Sequence, residues 1–287
     1  MNIQSIHAIV VQKLVSHYST REANQHAWWL LEAVTGKNEA VLLASNYILN
    51  TKQEKLLYTW LDQHLIEHKP LAYIIGWVPF DDVRITTHPP ILIPRPETEE
   101  WCMRLIDILQ KQSYKKFYIL DLCTGSGCIA LALAKALPEA IILATDINSE
   151  ALKLAVDNAK HNNIFNVTFI QSDLFANISA HQFDLIVANP PYIAPDEWQS
   201  LDASVRLWED PQALLASNQG LSIITTIIKQ APAYMKKPSD IKIPNLYIEI
   251  DYNQASHVQQ IMHQYGYSNI HIWRDLFGND RVACGFI

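Results

Sequence analysis

Apolar residues recur every three or four positions through the first part of the chain. The stretches "IQSIHAIVVQKLV", "HAWWLLEAV" and "QEKLLYTWLDQHLI" each carry the single apolar stripe that a helix buries. Gly36 follows the second stretch as a C-cap, because a left-handed residue closes a helix most cheaply when it has no Cβ. Thr51 stands to N-cap the third, with Glu54 three residues on as the partner of a capping box. No strand-like alternation interrupts this region, so residues 1–75 are predicted to form a small helical bundle. The pattern changes at "VPFDDVRITTHPPILIPRP", where β-branched residues are broken by prolines; residues 76–96 read as a β-hairpin or extended linker. Helical spacing resumes in "ETEEWCMRLIDILQKQ", whose acids sit in the first turn where the helix dipole favours them. A second domain, residues 97–287, opens there.

From Phe117 onward, short and nearly continuous apolar runs alternate with amphipathic ones. "FYILDL", "AIILATD", "NVTFIQSD", "FDLIVANPP" and "NLYIEID" have the composition of strands buried on both faces. "CIALALAKAL" and "SEALKLAVDNAKHN", between the early ones, have helical period. Strand–helix alternation predicts an α/β fold with a doubly wound, mainly parallel sheet. The last segment, "NIHIWRDLFGNDRVACGFI", reads instead as two strands joined by a turn at Gly278-Asn279-Asp280, an antiparallel hairpin on the sheet's edge.

Composition narrows the function more than the fold. With 49% hydrophobic and 18% charged residues in 287, the chain can bury a sizeable core. A net charge of −7, with no basic run longer than Lys115-Lys116 or Lys236-Lys237, speaks against a stable nucleic-acid partner, since phosphate neutralisation supplies most of that affinity. Cys102, Cys123, Cys128 and Cys284 lack CxxC spacing and fit a reducing compartment. No signal-peptide pattern and no membrane-length apolar run is present, so a cytoplasmic protein without a membrane partner is expected. The eleven histidines are scattered without HExxH or HxH spacing, and no metal site is predicted.

Ligands of doubly wound sheets lie beyond the C-terminal strand ends, and four such ends carry candidate chemistry. In "DLCTGSGC", the segment Cys123, Thr124, Gly125, Ser126 and Gly127 forms a tight glycine turn after Asp121. It is neither GxGxxG nor a P-loop, and an acid there suits an ammonium group better than a phosphate. Asp146, in "ATDIN", is placed to accept from a ribose diol. Asp173, in "QSDLF", is placed to accept from an exocyclic adenine amine, with Leu174 covering the ring. Ammonium, ribose and adenine without pyrophosphate describe S-adenosyl-L-methionine better than a nicotinamide dinucleotide.

The fourth strand end is Asn189-Pro190-Pro191-Tyr192. A planar –NH2 group is a weak nucleophile because its lone pair is delocalised. Two acceptors gripping its N–H bonds, the Asn189 side-chain oxygen and the Pro190 carbonyl, would turn the lone pair toward a methyl donor. Pro191 makes that carbonyl rigid, and Tyr192 offers a flat face. No side chain with a base's pKa is required. The residues therefore point to an amino-group methyltransferase, with Asn189, Pro190 and Tyr192 as catalytic candidates and Asn189 through Tyr192 as the substrate grip. Asn189 also borders the cofactor site. On these residues alone the amino group remains open: a nucleobase of RNA or DNA, or a glutamine side chain. A non-catalytic nucleoside-cofactor binding protein is the reading from another class.

Other segments narrow that choice by resemblance. "PLAYIIG" (70–76), "LIPRPETE" (92–99), "LDLCTGSGCIALALA" (120–134), "NPPYI" and "DLFGNDRV" (275–282) together resemble the peptide chain release factor glutamine methyltransferases over nearly the whole chain. The resemblance implies a seven-stranded Rossmann-like class I methyltransferase sheet with an antiparallel C-terminal hairpin, preceded by a helical domain that docks the protein substrate. It implies methylation of the glutamine amide in the Gly-Gly-Gln motif of release factors, using S-adenosyl-L-methionine. Cys123 to Gly127, Asp146 and Leu174 would line the cofactor pocket with Asp121 and Asp173 in support, and Arg95 to Glu97 would border the active site. Asp251 stands where members of the family usually carry glycine, and "GWVPFDDVRI" departs from their usual linker.

Overall fold

Asn2 opens the first helix by accepting Ser5 N–H at 2.9 Å on its side chain, the orphan-donor problem that every helix start must solve. The computed structural model describes residues 2–113, 116–179, 183–236 and 243–287, so Lys115 and Lys237 of the two lysine pairs lie outside the described residues. The chain divides into two compact units. The first spans residues 1–76 and also takes in residues 203–208 from far down the sequence. Its helices are α1 (Ile3–Leu14), α2 (Thr20–Thr35), α3 (Glu39–Ala44), α4 (Thr51–Leu65) and α5 (Leu71–Ile75). Their apolar stripes meet in one core that includes Ile6, Val10, Leu30, Leu31, Leu57 and Leu61, all at most 1% exposed.

Gly36 closes α2 in the left-handed conformation at φ +70°, as its position predicts. The start of α4 differs by one residue. Asn50 rather than Thr51 is the N-cap, and Gln53 rather than Glu54 completes the capping box, with both reciprocal hydrogen bonds at 3.0 Å. Asparagine is the stronger cap of the two neighbours, which is the physical reason for the shift. The visiting segment Ala203–Trp208, α9 in chain order, is held in this unit by Trp208, whose indole donates to Glu67 O at 3.0 Å beneath the Lys69 ammonium. Nothing in the sequence pattern marks it as a member of the helical unit.

The second unit begins with the hairpin β1 (Trp77–Phe80) and β2 (Val83–Thr86), followed by α6 (Pro96–Gln110). Then come β3 (Tyr118–Leu122), α7 (Cys128–Ala136), β4 (Ile141–Asp146), α8 (Ser149–His161), β5 (Val167–Gln171) and β6 (Leu185–Ala188). After the detour through α9 follow α10 (Ser222–Gln230), β7 (Leu246–Glu249), α11 (Ala255–Gln264), β8 (Ser268–Arg274) and β9 (Asp280–Phe286). The sheet has seven strands in the order β5-β4-β3-β6-β7-β9-β8. Strands β3 to β7 are parallel, and β9 runs antiparallel between β7 and β8. This is the α/β sheet with a C-terminal antiparallel hairpin that the sequence predicts.

The chain builds outward from β3 to β4 and β5, then returns to add β6 on the other side of β3. The topological switch point therefore lies beyond the ends of β3 and β6. Leu122 pairs with Ala188 in register, so the turns that follow those two residues emerge side by side. Leu120, Leu122, Ile186, Ala188, Ile224 and Ile248, all fully buried, form part of the core that fixes this placement.

Candidate active site

The turn after β3 is strained in a specific way. Cys123 holds φ +58° without being glycine, next to Gly125 at +54° and Gly127 at +86°. A non-glycine residue in the left-handed region costs about 1–2 kcal/mol, and such strain clusters where backbone must be aimed at a ligand. Below the turn, Asp121 is fully buried and accepts the Thr124 hydroxyl at 2.5 Å. Burial pushes its carboxyl up to about 7, against the lowering effect of the Thr124 hydrogen bond. Burial likewise pushes the Cys123 thiol well up.

The other strand ends converge on the same cavity. Asp146 accepts Gly125 N–H at 2.8 Å on one oxygen and Asn148 N–H at 2.9 Å on the other. Burial raises its pKa, opposed by these backbone donors. Asn148, rather than Asp146, caps α8. After β5, Leu174 like Cys123 holds a positive φ, +46°, without being glycine, and its carbonyl accepts the Ser172 hydroxyl at 2.7 Å. One cavity is bordered by Cys123, Gly125, Asp146, Asp173, Leu174 and Asn189 together with Pro191. Its remaining walls are largely apolar, including Ile91, Leu92, Ile147 and Ile223, and among the described residues no lysine or arginine lines it.

Not every candidate reaches that cavity. Asp121, Thr124, Ser126 and Gly127 are not among its lining residues; Thr124 and Ser126 border a smaller hollow shared with Arg95 and Thr98. Gly127 serves packing, since a Cβ there would stand 3.0 Å from the Ala155 Cβ on α8. Gly125 is open on that side, with nothing within 4 Å of where a Cβ would be.

The Asn189–Tyr192 turn follows β6; Asn189 and Pro191 stand on the cavity wall, while Pro190 and Tyr192 are not among its lining residues. The Asn189 side-chain amide donates to the Thr98 hydroxyl at 3.2 Å. The Tyr192 hydroxyl donates to Glu249 Oε1 at 3.2 Å, and the Tyr192 carbonyl accepts from Gln254 Nε2 at 2.9 Å. Glu249, at the end of β7 and 1% exposed, also accepts from Thr98 and Trp101, each at 2.7 Å on Oε2. Burial raises the Glu249 pKa, and its hydrogen-bond donors and Arg281 work against that rise. Burial, and then the neighbouring Glu249 charge, push the Tyr192 phenol up.

Several of these supports escape a reading of the sequence. Thr98 lies within "LIPRPETE" and Glu249 within "IEID", but neither carries a spacing that joins them. Gly220, at φ +77°, lets the chain pass so close that a Cβ would lie 1.9 Å from the Tyr192 carbonyl oxygen. Asp251 has a local role: its backbone N–H donates to Gln254 Oε1 at 3.0 Å, orienting the amide that holds Tyr192. Arg95 pairs through both carboxylate oxygens of Glu209 at 2.7 Å, and Glu209 is 4% exposed.

Comparison with known proteins adds to this geometry. Residues 102–239 match the family described as the methyltransferase small domain, and residues 10–76 match the PrmC N-terminal domain. A release factor glutamine methyltransferase of Lactococcus lactis subsp. lactis is 42% identical over 233 residues, 81% of this chain and 83% of its own. A release factor glutamine methyltransferase of Thermodesulfovibrio yellowstonii is 34% identical over 274 residues, 95% of each chain. Among solved structures, a methyltransferase from Pyrococcus furiosus aligns with a TM-score of 0.50 at 15% identity, covering 83% of this chain and 98% of that one, a likeness of fold.

Proposed function

The chain belongs to the release factor glutamine methyltransferase family, and we propose on that premise that it methylates the side-chain amide nitrogen of the glutamine in the Gly-Gly-Gln motif of peptide chain release factors. S-adenosyl-L-methionine, when bound, supplies the methyl group as a sulfonium. The cavity residues fit such a group. Apolar walls and the carboxylates Asp146 and Asp173, with no lysine or arginine among the described residues that line them, suit a positively charged nucleoside and not a pyrophosphate. Cys123, Gly125, Asp146, Asp173, Leu174 and Asn189 would hold it, and Asp121, Thr124, Ser126 and Gly127 would support the turn from behind.

The observation that carries the reading is that Asn189 and Pro191 share a cavity with Asp146 and Leu174. The Asn189 oxygen and the Pro190 carbonyl accept the two N–H bonds of the glutamine amide and direct its nitrogen toward the cavity. Pro191 restricts the residue before it, so the Pro190 carbonyl does not swing. Tyr192, its hydroxyl fixed on Glu249, packs its ring on the amide plane. Its raised pKa keeps the phenol protonated, so it serves as a surface and not as a base. The amide proton becomes acidic only as the nitrogen gains its methyl group, and solvent can take it.

In this reading residues 1–75 dock the release factor, residues 76–96 join that domain to the catalytic one, and residues 97–287 perform the chemistry. A cytoplasmic location, where release factors work, goes with it. Among the described residues no helix is long and apolar enough to cross a membrane. The test is transfer from labelled S-adenosyl-L-methionine to an unmodified release factor, to a copy with alanine in place of the motif glutamine, and to total RNA. Label confined to the first, mapped to that glutamine by mass spectrometry, is the expected result. Label in RNA and none in the factor would overturn the substrate while keeping the amino-group chemistry.

A further inference from the structure

Three side chains behind the Asn189–Tyr192 turn, Trp101, Glu249 and Thr98, are joined to it by hydrogen bonds whose direction is forced. The Trp101 indole has a hydrogen to give and no lone pair to accept with, and it donates to Glu249 Oε2 at 2.7 Å. The Glu249 Oε2 that takes this N–H is therefore the accepting oxygen of the carboxyl group. Thr98, 1% exposed, spends its single hydroxyl hydrogen on the same Oε2 at 2.7 Å. Only lone pairs are then left on the Thr98 oxygen to face Asn189. Asn189 meets that oxygen at 3.2 Å, and the end it presents must be its –NH2. Its carbonyl oxygen is the end that remains for a ligand in the cavity it lines. On the other carboxylate oxygen, the Tyr192 hydroxyl donates at 3.2 Å, so one buried carboxylate orients both side chains of the turn.

We propose that Trp101, Glu249 and Thr98 act as positioning residues that set the hydrogen-bond polarity of Asn189, so that the site selects a ligand –NH2 over a carboxylate. The proposal rests on the methyltransferase reading for its ligand, and its geometry is independent of it. With Asn189 locked as an acceptor, a glutamine amide finds two acceptors for its two N–H bonds. A glutamate in the same place meets oxygen with oxygen. Asparagine alone has no such preference, since its two ends differ little in shape and a half-turn about its last bond exchanges them. The preference is supplied by Thr98, and the polarity of Thr98 is supplied by Glu249.

Two measurements test this. The first uses Thr98→Val, which removes the hydroxyl at nearly constant shape, and Thr98→Ser, which keeps it. Binding of two release factors, one with the motif glutamine and one with glutamate there, is compared with S-adenosylhomocysteine in the cofactor site. Wild type and Thr98→Ser are expected to prefer the glutamine factor by about tenfold or more, as for one unmatched polar pair. Thr98→Val is expected to bring the two within about threefold and to slow single-turnover methylation about tenfold, with cofactor affinity unchanged within twofold. A Thr98→Val enzyme that keeps both preference and rate would overturn the proposal, as would Thr98→Ser behaving like Thr98→Val. The second uses wild-type protein with 15N-labelled asparagine and needs no substrate. One of the two Asn189 side-chain amide protons should be protected from solvent exchange, and equal exchange of both would overturn the relay. If wild type methylates no release factor while that proton is protected, the functional reading fails and the relay stands.

Discussion

Gly220 lies outside every motif, yet the structure makes it a strict requirement of the Asn189–Tyr192 turn. A Cβ built there would stand 1.9 Å from the Tyr192 carbonyl oxygen, 2.7 Å from its carbonyl carbon and 2.6 Å from Gln254 Nε2, whereas real contacts of this kind stay beyond 3.0 Å. Gly220→Ala must therefore move the Tyr192 carbonyl by about 1 Å or push away the Gln254 amide that holds it. The backbone adds its own cost, since alanine at φ +77° gives up about 1–2 kcal/mol. Overpacking adds about 1–3 kcal/mol, leaving a folded protein when a typical domain is stable by about 5–15 kcal/mol. The catalytic effect is larger in proportion, because a misplacement of about 1 Å can cost about a hundredfold in rate. Single-turnover transfer by Gly220→Ala should fall about a hundredfold, while cofactor affinity stays within about threefold. Gly36→Ala is the control: it has the same left-handed backbone, φ +70°, but nothing within 4 Å of the new methyl, so it should lose stability with little change in rate. A Gly220→Ala enzyme that transfers methyl groups like Gly36→Ala would refute the claim that this contact sets the turn.

Asn189→Ala removes one of two acceptors and should slow transfer by about tenfold to a hundredfold, the equivalent of about 1–3 kcal/mol, in a single-turnover assay at saturating cofactor; a rate within twofold of wild type would remove Asn189 from the mechanism. Arg95→Met strands the buried Glu209, 4% exposed, and should destabilise the protein by about 3–5 kcal/mol in urea titrations at pH 8. Burial already raises the Glu209 pKa while Arg95 lowers it, so losing Arg95 raises it further. The loss should then shrink as pH falls and the stranded carboxyl takes up a proton, and a pH-independent loss would contradict this. For Asp121, burial lifts the folded carboxyl from 3.8 to about 7, so between those limits the folded protein keeps a proton that the unfolded chain releases. The stability it contributes is full below about pH 4 and is lost as pH rises through about 7. Asp121→Asn should accordingly lose less stability than wild type between pH 5 and pH 8, and parallel pH curves would sink the assignment.

The fold was legible because the local signals agree with the global one. Strands β3 and β6 are almost continuously apolar, which only burial on both faces explains, and the amphipathic α10 supplies one of their covers, its Ile224 and Ile227 buried with Leu122 and Ile186 in one core. Gly36 marks its helix end by a backbone need that no neighbour can override. The cap of α4 was missed by one residue because Asn50 and Thr51 both can cap and only the competition between them decides. Residues 203–208 were not legible at all. Their place in the helical unit depends on Trp208 finding the Glu67 carbonyl and the Lys69 ammonium, which no periodicity announces.

The same division runs through the site, and it follows from what each residue does. Residues that would touch a ligand must carry its chemistry, so Asp146, Asp173 and Asn189 can be picked out one strand end at a time. Residues that hold them need only be near, and nearness is made by the sheet: β6 and β7 are adjacent, so Glu249 at the end of β7 comes under Tyr192 beyond the end of β6. Thr98 enters from the first turn of α6, 151 positions away from the carboxylate it bonds. The left-handed backbones of Cys123 and Leu174 belong to this second kind. Neither residue type favours that conformation, so each is held there by what surrounds it, and both stand with Asn189 on the wall of the larger cavity. Strain at two strand ends and a forced hydrogen-bond direction at a third are costs that a mere strand terminator would not need. Their convergence on a single cavity is the physical reason to read the Asn189–Tyr192 turn as a working part and not as a stop signal.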